Sequence, residues 1–200
     1  MKHYSKNTFE HYLMTITGTI NQVSPRFYYK EGKKINYYEL LVSYNFYNGV
    51  NEILLLAKDF DKRDLINKEQ LFVFEFDIAS KYVNEKLMTD FYLQSYKKVN
   101  NQTENPLIVI RTYFEKSGFE VLKKQEVKKR VKVFGKFTSI HRNQPPLFCY
   151  FWEDNHFLVD INKVSKIQLN CRSLPYKDKF ISNVEVWRTM ENDNFIGSIL

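Results

Sequence analysis

The residues best suited to chemistry in this chain would make no covalent bond. Arg26-Phe27-Tyr28-Tyr29-Lys30, followed by Lys33 and Lys34, interleaves three rings with four cations. Every nucleobase has a π-face, so exposed rings among cations offer stacking to bases and ion pairing to phosphates. Tyr37, Tyr44, Phe46 and Tyr47 continue the pattern along one strand-like run. Residues two apart share a face, so Tyr44 and Phe46 point together and Tyr47 points away, one set being core and the other free to act as platform. The same competition applies to Phe27, Tyr28 and Tyr29, since about half of any strand faces a core. Phe72, Phe74 and Phe76 share a face opposite Glu75 and Asp77 and are read as core.

A second cationic stretch holds Lys123, Lys124, Lys128, Lys129, Arg130, Lys132 and Lys136, with Glu126 as its acidic residue. It is either a phosphate track or a solvated face. Arg142 and Trp152 extend the candidate set, Phe148, Tyr150 and Trp152 alternating on one face. Trp187, beside Arg188, is read as core.

Catalytic patterns are absent. His3, His11, His141 and His156 form no pair at metal-ligand spacing, and no nucleophile elbow or phosphate loop is present. Glu153, Asp154, Asp160 and Glu185 would serve a metal-dependent nuclease only if the fold assembled them. A non-enzyme without cofactor or metal is expected. Cys149 and Cys171 lack zinc spacing and lie in apolar runs, where cysteine is usually a small buried hydrophobe in a reduced, cytoplasmic protein. No signal peptide or membrane span is expected.

The elements that must position these residues are strands. The chain of 200 residues is 16% aromatic, which favours β structure, and its +7 net charge favours polyanionic partners. The second half carries 16 Lys+Arg against 11 Asp+Glu, most of the excess. Thr15 to Ile20 reads as a strand with an internal glycine, broken by Ser24-Pro25. Glu31-Gly32 and Asn48-Gly49 are hairpin turns around a strand from Tyr37 to Tyr47, and Asn51 to Ala57 is a third strand. Asp59 to Ile66 changes period and predicts a short helix. Leu71 to Ile78 and Lys86 to Val99 follow as strands. That order is the order of an OB-fold barrel.

Asn100 to Pro106 reads as a linker, so residues 1–102 are expected to hold this barrel and residues 103–200 a second, smaller OB-like β module with an apolar tail. Leu107 to Tyr113 reads as a further strand, and Glu120 to Lys129 as a short helix or a connecting segment. Arg130 to Phe137, with Gly135, echoes the first glycine-bearing strand. Leu147 to Trp152 and His156 to Ile161 read as strands, and Lys166 to Ser173 and Phe180 to Arg188 as a closing hairpin turning at Pro175 to Asp178.

Tyr12 to Val99 resembles the bacterial single-stranded DNA-binding protein family. Met14-Thr15-Ile16-Thr17-Gly18-Thr19-Ile20, Ser24-Pro25-Arg26, Glu31-Gly32-Lys33-Lys34 and Leu56-Ala57-Lys58 stand where the family has its first strand, its Pro turn with arginine, its hairpin and the end of its third strand. The resemblance implies an OB-fold that binds single-stranded DNA, with RNA open to the same chemistry. It implies stacking aromatics near Tyr47 and Tyr82, and Lys58 and Lys81 join the candidate binding residues. The third strand departs from the family by offering aliphatic Leu56, and Met190 to Leu200 is less acidic and more apolar than the family's acidic tail tipped by Pro-Phe, so recruitment by that route is not expected. A homodimer, which would present four modules, and replication, recombination or repair proteins are the expected partners. A protein-interaction or assembly module is the competing reading.

Overall fold

A computed structural model describes residues 14–46, 49–61, 63, 69–83, 86–99, 109–110, 119–137, 146–154 and 166–190, with the backbone alone at 81–83, 86–87, 109–110, 166–168 and 188–190. Five strands, β1 (Met14–Lys30), β2 (Lys33–Phe46), β3 (Gly49–Ala57), β4 (Leu71–Val83) and β5 (Lys86–Val99), close a barrel in the order β1-β2-β3-β5-β4. All neighbours are antiparallel except β3 and β5, which run parallel through Leu55–Phe91 and Leu56–Tyr92. This is OB-fold topology. Period-two alternation turns Ile16, Leu40, Ile53, Leu55, Phe74 and Phe91 inward, all 2% exposed or less. The Phe72–Phe74–Phe76 face is core as read from the sequence, each ring contributing about 1.5–3 kcal/mol by burial.

Two local expectations change. Ser24-Pro25 does not break β1, which pairs with β2 from Gly18 to Lys30. Counting ladder positions from the turn-closing Lys30–Lys33 pair puts Pro25 at a site with no inter-strand bond to β2, so its missing N–H costs the ladder nothing. Of the helix expected over Asp59 to Ile66, residues 59–61 and 63 are described and the other half lies outside the described residues.

The second sheet contains β6 (Val109–Ile110), β7 (Phe119–Val127), β8 (Arg130–Phe137), β9 (Leu147–Trp152), β10 (Lys166–Tyr176) and β11 (Lys179–Met190), in the order β6-β10-β11-β9-β8-β7. Read from β7, the sequence β7-β8-β9-β11-β10 repeats the barrel's order, including the parallel pair, here β9 and β11. In the barrel, β1 pairs with β4 through its first half and with β2 through its second. In the second sheet those duties are split, β6 pairing with β10 and β7 with β8. The module is thus OB-like with a divided first strand. Glu120 to Lys129 is neither helix nor connection but strand and turn. Arg130 to Phe137 accordingly takes the place of the barrel's second strand, not its first. The turn was hidden because Lys128 (φ 49°) and Lys129 (φ 68°) adopt the left-handed conformations that Asn-Gly usually supplies. The last hairpin turns more tightly than expected, at Lys177-Asp178, with Pro175 paired to Phe180. The segment His156 to Ile161 lies outside the described residues.

The sheets share one buried hydrophobic cluster. Tyr44, on the inward face of β2, donates its hydroxyl to the carbonyl oxygen of Cys171 (2.5 Å) and lies 3.1 Å from Asn170 Oδ1. Asn51 Nδ2 donates to the same Asn170 oxygen (3.1 Å), and the Leu54 amide donates to Ser173 Oγ (2.9 Å). Phe46 packs edge-on against Trp187, ring centres 5.4 Å apart. Trp187 is 37% exposed, so its ring is a junction contact and not core. Cys149 and Cys171 are buried and free, and burial pushes both thiols up.

Two outcomes test this packing. A Cβ at Gly135 would overlap the Phe119 ring and the Glu120 carbonyl oxygen, so Gly135→Ala is expected to cost about 1–3 kcal/mol in chemical denaturation. Burial holds the Tyr44 phenol well above its ordinary value of 10.0. The stability it contributes is fully present below pH 10 and is lost as pH rises above it, because the unfolded phenol ionises first. Tyr44→Phe should lower stability at neutral pH by about 1–3 kcal/mol, by orphaning the Cys171 carbonyl, and flatten the fall above pH 10 in melts at stepped pH.

Candidate nucleic-acid interface

The first hairpin outgrows the barrel. Pairing of β1 with β4 ends at Thr19–Leu71, and pairing of β2 with β3 ends at Tyr38–Ala57, so residues 26–37 form an arm paired only within itself. Glu31 (φ 51°) and Gly32 (φ 74°) make its two-residue turn, the primed type whose twist suits a hairpin. Between barrel and arm, the register of β1 against β2 shifts by one residue at Asn21. Asn21 Nδ2 donates to Ser43 Oγ (2.5 Å) and Glu52 Oε1 (3.3 Å), which ties the bulge to β2 and β3. A one-residue insertion moves every following side chain to the other face. Before it, Met14, Ile16 and Ile20 point into the barrel; after it, Gln22, Ser24, Arg26 and Tyr28 point out.

Those outward residues line a groove of about 640 Å³ on the outer face of β1, β2, β3 and β5. Tyr28 and Tyr37 stand 6.0 Å apart, ring centre to centre. Tyr92 of β5 lies beside Leu56 of β3 in the parallel register. Phe180, with Asp178 and Lys179, closes the groove from the β10–β11 hairpin. Arg26 Nε donates to Glu39 Oε2 (2.9 Å), and that bond raises the guanidinium's pKa. Burial, then Glu39 for Tyr37 and Asp90 for Tyr92, pushes both phenols up, so they remain neutral rings with a hydroxyl to donate. Cations Arg26, Lys58 and Lys179 and carboxylates Glu39, Asp90 and Asp178 line the groove together. The cationic surplus sits at the arm's tip, where Lys30, Lys33 and Lys34 face only Glu31 among the tip residues. The arrangement can stack flat rings within and hold anions at the rim.

The structure sorts the residues read from the sequence. Arg26, Tyr28, Tyr37 and Lys58 come together in the groove, with Lys30 and Lys33 near its mouth on the same face of the arm. Phe27, Tyr29 and Lys34 share the arm's opposite face, exposed to solvent; none of Phe27, Tyr28 and Tyr29 is core, because no further strand among the described residues pairs with the arm. Tyr44 is corrected: it is 4% exposed and sealed at the junction of the sheets, with no face for a base. Lys81 and Tyr82 lie on β4 beyond the described side chains, and Tyr47 and Arg142 lie outside the described residues.

The second cationic stretch is largely committed elsewhere. Lys124 pairs with Glu153 (2.5 Å), Arg130 with Asp154 (2.8 Å) and Lys136 with Glu120 (2.9 Å). The Arg130 guanidinium also covers the Trp152 ring at 4.4 Å, and Lys132 Nζ covers the Tyr150 ring at 3.5 Å. Desolvation lowers the Lys132 pKa. Lys123, on β7, and Lys128 and Lys129, in the turn, are exposed. These residues lie on the second sheet, apart from the groove. Of the acidic residues weighed for a metal, Glu153 and Asp154 are in the pairs just given, buried Glu185 accepts from Tyr150 (3.1 Å) and pairs with Arg172 (3.5 Å), and Asp160 lies outside the described residues; no cluster able to hold a metal occurs among the described residues.

Tyr92, Phe180 and Lys179 were missed by sequence reading. Tyr92 had a findable signal, since it falls opposite Leu56 once β3 and β5 are paired in parallel, and it supplies the ring that β3 lacks. Phe180 had none, because it reaches the groove only through the docking of the second sheet.

Among solved structures, the wild-type single-stranded DNA binding protein from Thermus aquaticus is similar to this chain, with 12% identity and a TM-score of 0.51 over 90% of this chain and 92% of that one. A deletion mutant of the Thermus aquaticus protein has 12% identity and a TM-score of 0.48 over 94% and 97%. A replication protein A heterotrimer bound to ssDNA has 9% identity and a TM-score of 0.32 over 92% of this chain and 52% of that one. No protein-family model matches the sequence, and no curated protein does. The first of these likenesses is one of fold and takes in both sheets; with the strand order, it shows an OB-fold barrel followed by a second OB-like β module.

Proposed function

We propose that this protein is a non-catalytic single-stranded DNA-binding protein, with single-stranded RNA open to the same chemistry. The observation that carries the reading is the groove itself. Tyr28, Tyr37, Tyr92 and Phe180 surround one cavity beside a lysine-tipped arm, on the strand face where OB-folds hold oligonucleotides. Bases stack on the tyrosines, and phosphates run along the rim past Lys30, Lys33 and Lys34. The fold shared with a Thermus aquaticus protein described as binding single-stranded DNA supports it. Within the same proposal, residues 1–102 form the barrel domain and 103–200 the second domain, a cytoplasmic homodimer presents four modules, and the bound strand is protected during replication, recombination or repair.

One observation favours a second reading, an assembly module that binds protein. The groove is lined by three carboxylates as well as three cations, which suits a polar peptide as well as a nucleic acid.

Fluorescence-anisotropy titration of labelled oligo-dT, with duplex DNA as control, separates the two. The first reading expects tight, single-strand-selective binding, and no such preference at low salt would refute it. Alanine at Tyr28, Tyr37 or Tyr92 should each weaken binding by about 1–3 kcal/mol, roughly 5- to 150-fold. Because the groove is charge-balanced, the salt dependence should come from the arm. Replacing Lys30, Lys33 and Lys34 together by alanine should reduce the slope of log K against log salt by about 2, at roughly 0.7 per lost phosphate contact.

A further inference from the structure

We infer that the β1–β2 arm is a two-sided contact, with one single strand lying on both of its faces and passing round the tip. This rests on the reading that the groove holds a single strand. Directly opposed residues of an antiparallel pair share a face. Tyr28 is opposed by Ile35 on the groove side, and Tyr29 by Lys34 on the reverse. On that reverse face Phe27 and Tyr29 are 55% and 68% exposed, edge to face at 5.9 Å, and Lys34 Nζ lies 4.3 Å from the Phe27 ring centre. The barrel makes no use of these rings, since residues 26–37 pair only with each other. Two adjacent exposed rings beside a lysine offer bases a stacking surface.

Charge selects what covers it. The arm's tip carries Lys34 on the reverse face and Lys30 and Lys33 on the groove face, against the single carboxylate Glu31, while Arg26 is already paired with Glu39. A second copy docked through the same face would bring like charges together, whereas a polyanion gains from ion pairing and counterion release. Rings beside lysines occur on both faces, so a strand leaving the groove meets the same chemistry on rounding the Glu31–Gly32 turn.

The test compares the wild type with the double variant Phe27→Ala/Tyr29→Ala on oligo-dT of about 6 and about 30 nucleotides, the shorter lying within the span of a single OB-fold. The wild type should bind both. The variant should hold the short oligomer within twofold, lose roughly tenfold or more on the long one, and occlude fewer nucleotides per chain. Both side chains lie outside the core, so thermal melts should match the wild type. An unchanged affinity for the long oligomer, or an equal loss on both lengths, overturns the two-sided arm while leaving the groove reading intact. Failure of the wild type to bind the short oligomer overturns both. A variant that dissociates from dimer to monomer in sedimentation, with unchanged affinity for the long oligomer, assigns the face to a second copy and overturns the proposal.

Discussion

A single extra residue decides what this protein presents to its surroundings. Asn21 is inserted in β1 between Ile20, which pairs with Val42, and Gln22, which pairs with Leu41. Strand side chains alternate with period two, so the insertion exchanges the two faces of everything that follows. Without it, the even positions that bury Met14, Ile16 and Ile20 would carry Arg26 and Tyr28 to the inward side. With it, Val23 keeps packing against the core while Arg26 and Tyr28 swing out to meet Tyr37 and Glu39. The bonds from Asn21 to Ser43 and Glu52 hold the bulge where the strand changes from barrel wall to free arm. A bulge also sharpens local twist, which suits a hairpin leaving a closed barrel.

The second sheet builds on the same plan and turns it to support. Its hairpin β7–β8 carries a bulge between Val121 and Lys123, its strand order repeats that of the barrel, and its first strand is divided. Polar bonds at Tyr44, Asn51 and Leu54, with the Phe46–Trp187 contact, fix its position against β2 and β3. That docking brings Phe180 and Lys179 to the groove, so the candidate site is complete only when both modules are in place. Of the cations of β7 and β8, by contrast, Lys124, Arg130 and Lys136 are held by Glu153, Asp154 and Glu120 and Lys132 lies over aromatic rings, while Lys123 is exposed. Charge density along a sequence therefore located a largely self-paired surface, whereas the smaller lysine cluster at the arm's tip is the one that stands beside the groove.

Much of the barrel was legible in the sequence. The five strands, the Glu31-Gly32 turn and the inward Phe72, Phe74 and Phe76 follow from local alternation and turn chemistry, which need no knowledge of distant contacts. The aromatic-cation character of residues 26–37 was legible for the same reason. What was not legible depended on register or docking. Nothing in the composition of Ile20-Asn21-Gln22 announces a bulge, so the sequence could not say which of Phe27, Tyr28 and Tyr29 faces the groove. The β7–β8 turn was hidden because two lysines adopt a backbone conformation that they seldom take. Tyr44 was misassigned because its partner, the Cys171 carbonyl, lies 127 residues away.

The most direct test of the central claim is photo-crosslinking of a short single-stranded oligonucleotide carrying a halogenated uracil, with the adducts mapped by peptide sequencing. The account predicts adducts at Tyr28, Tyr37, Tyr92 and Phe180. Adducts confined to the Trp152 and Tyr150 face of the second sheet, or to Phe27 and Tyr29 without any in the groove, would contradict it.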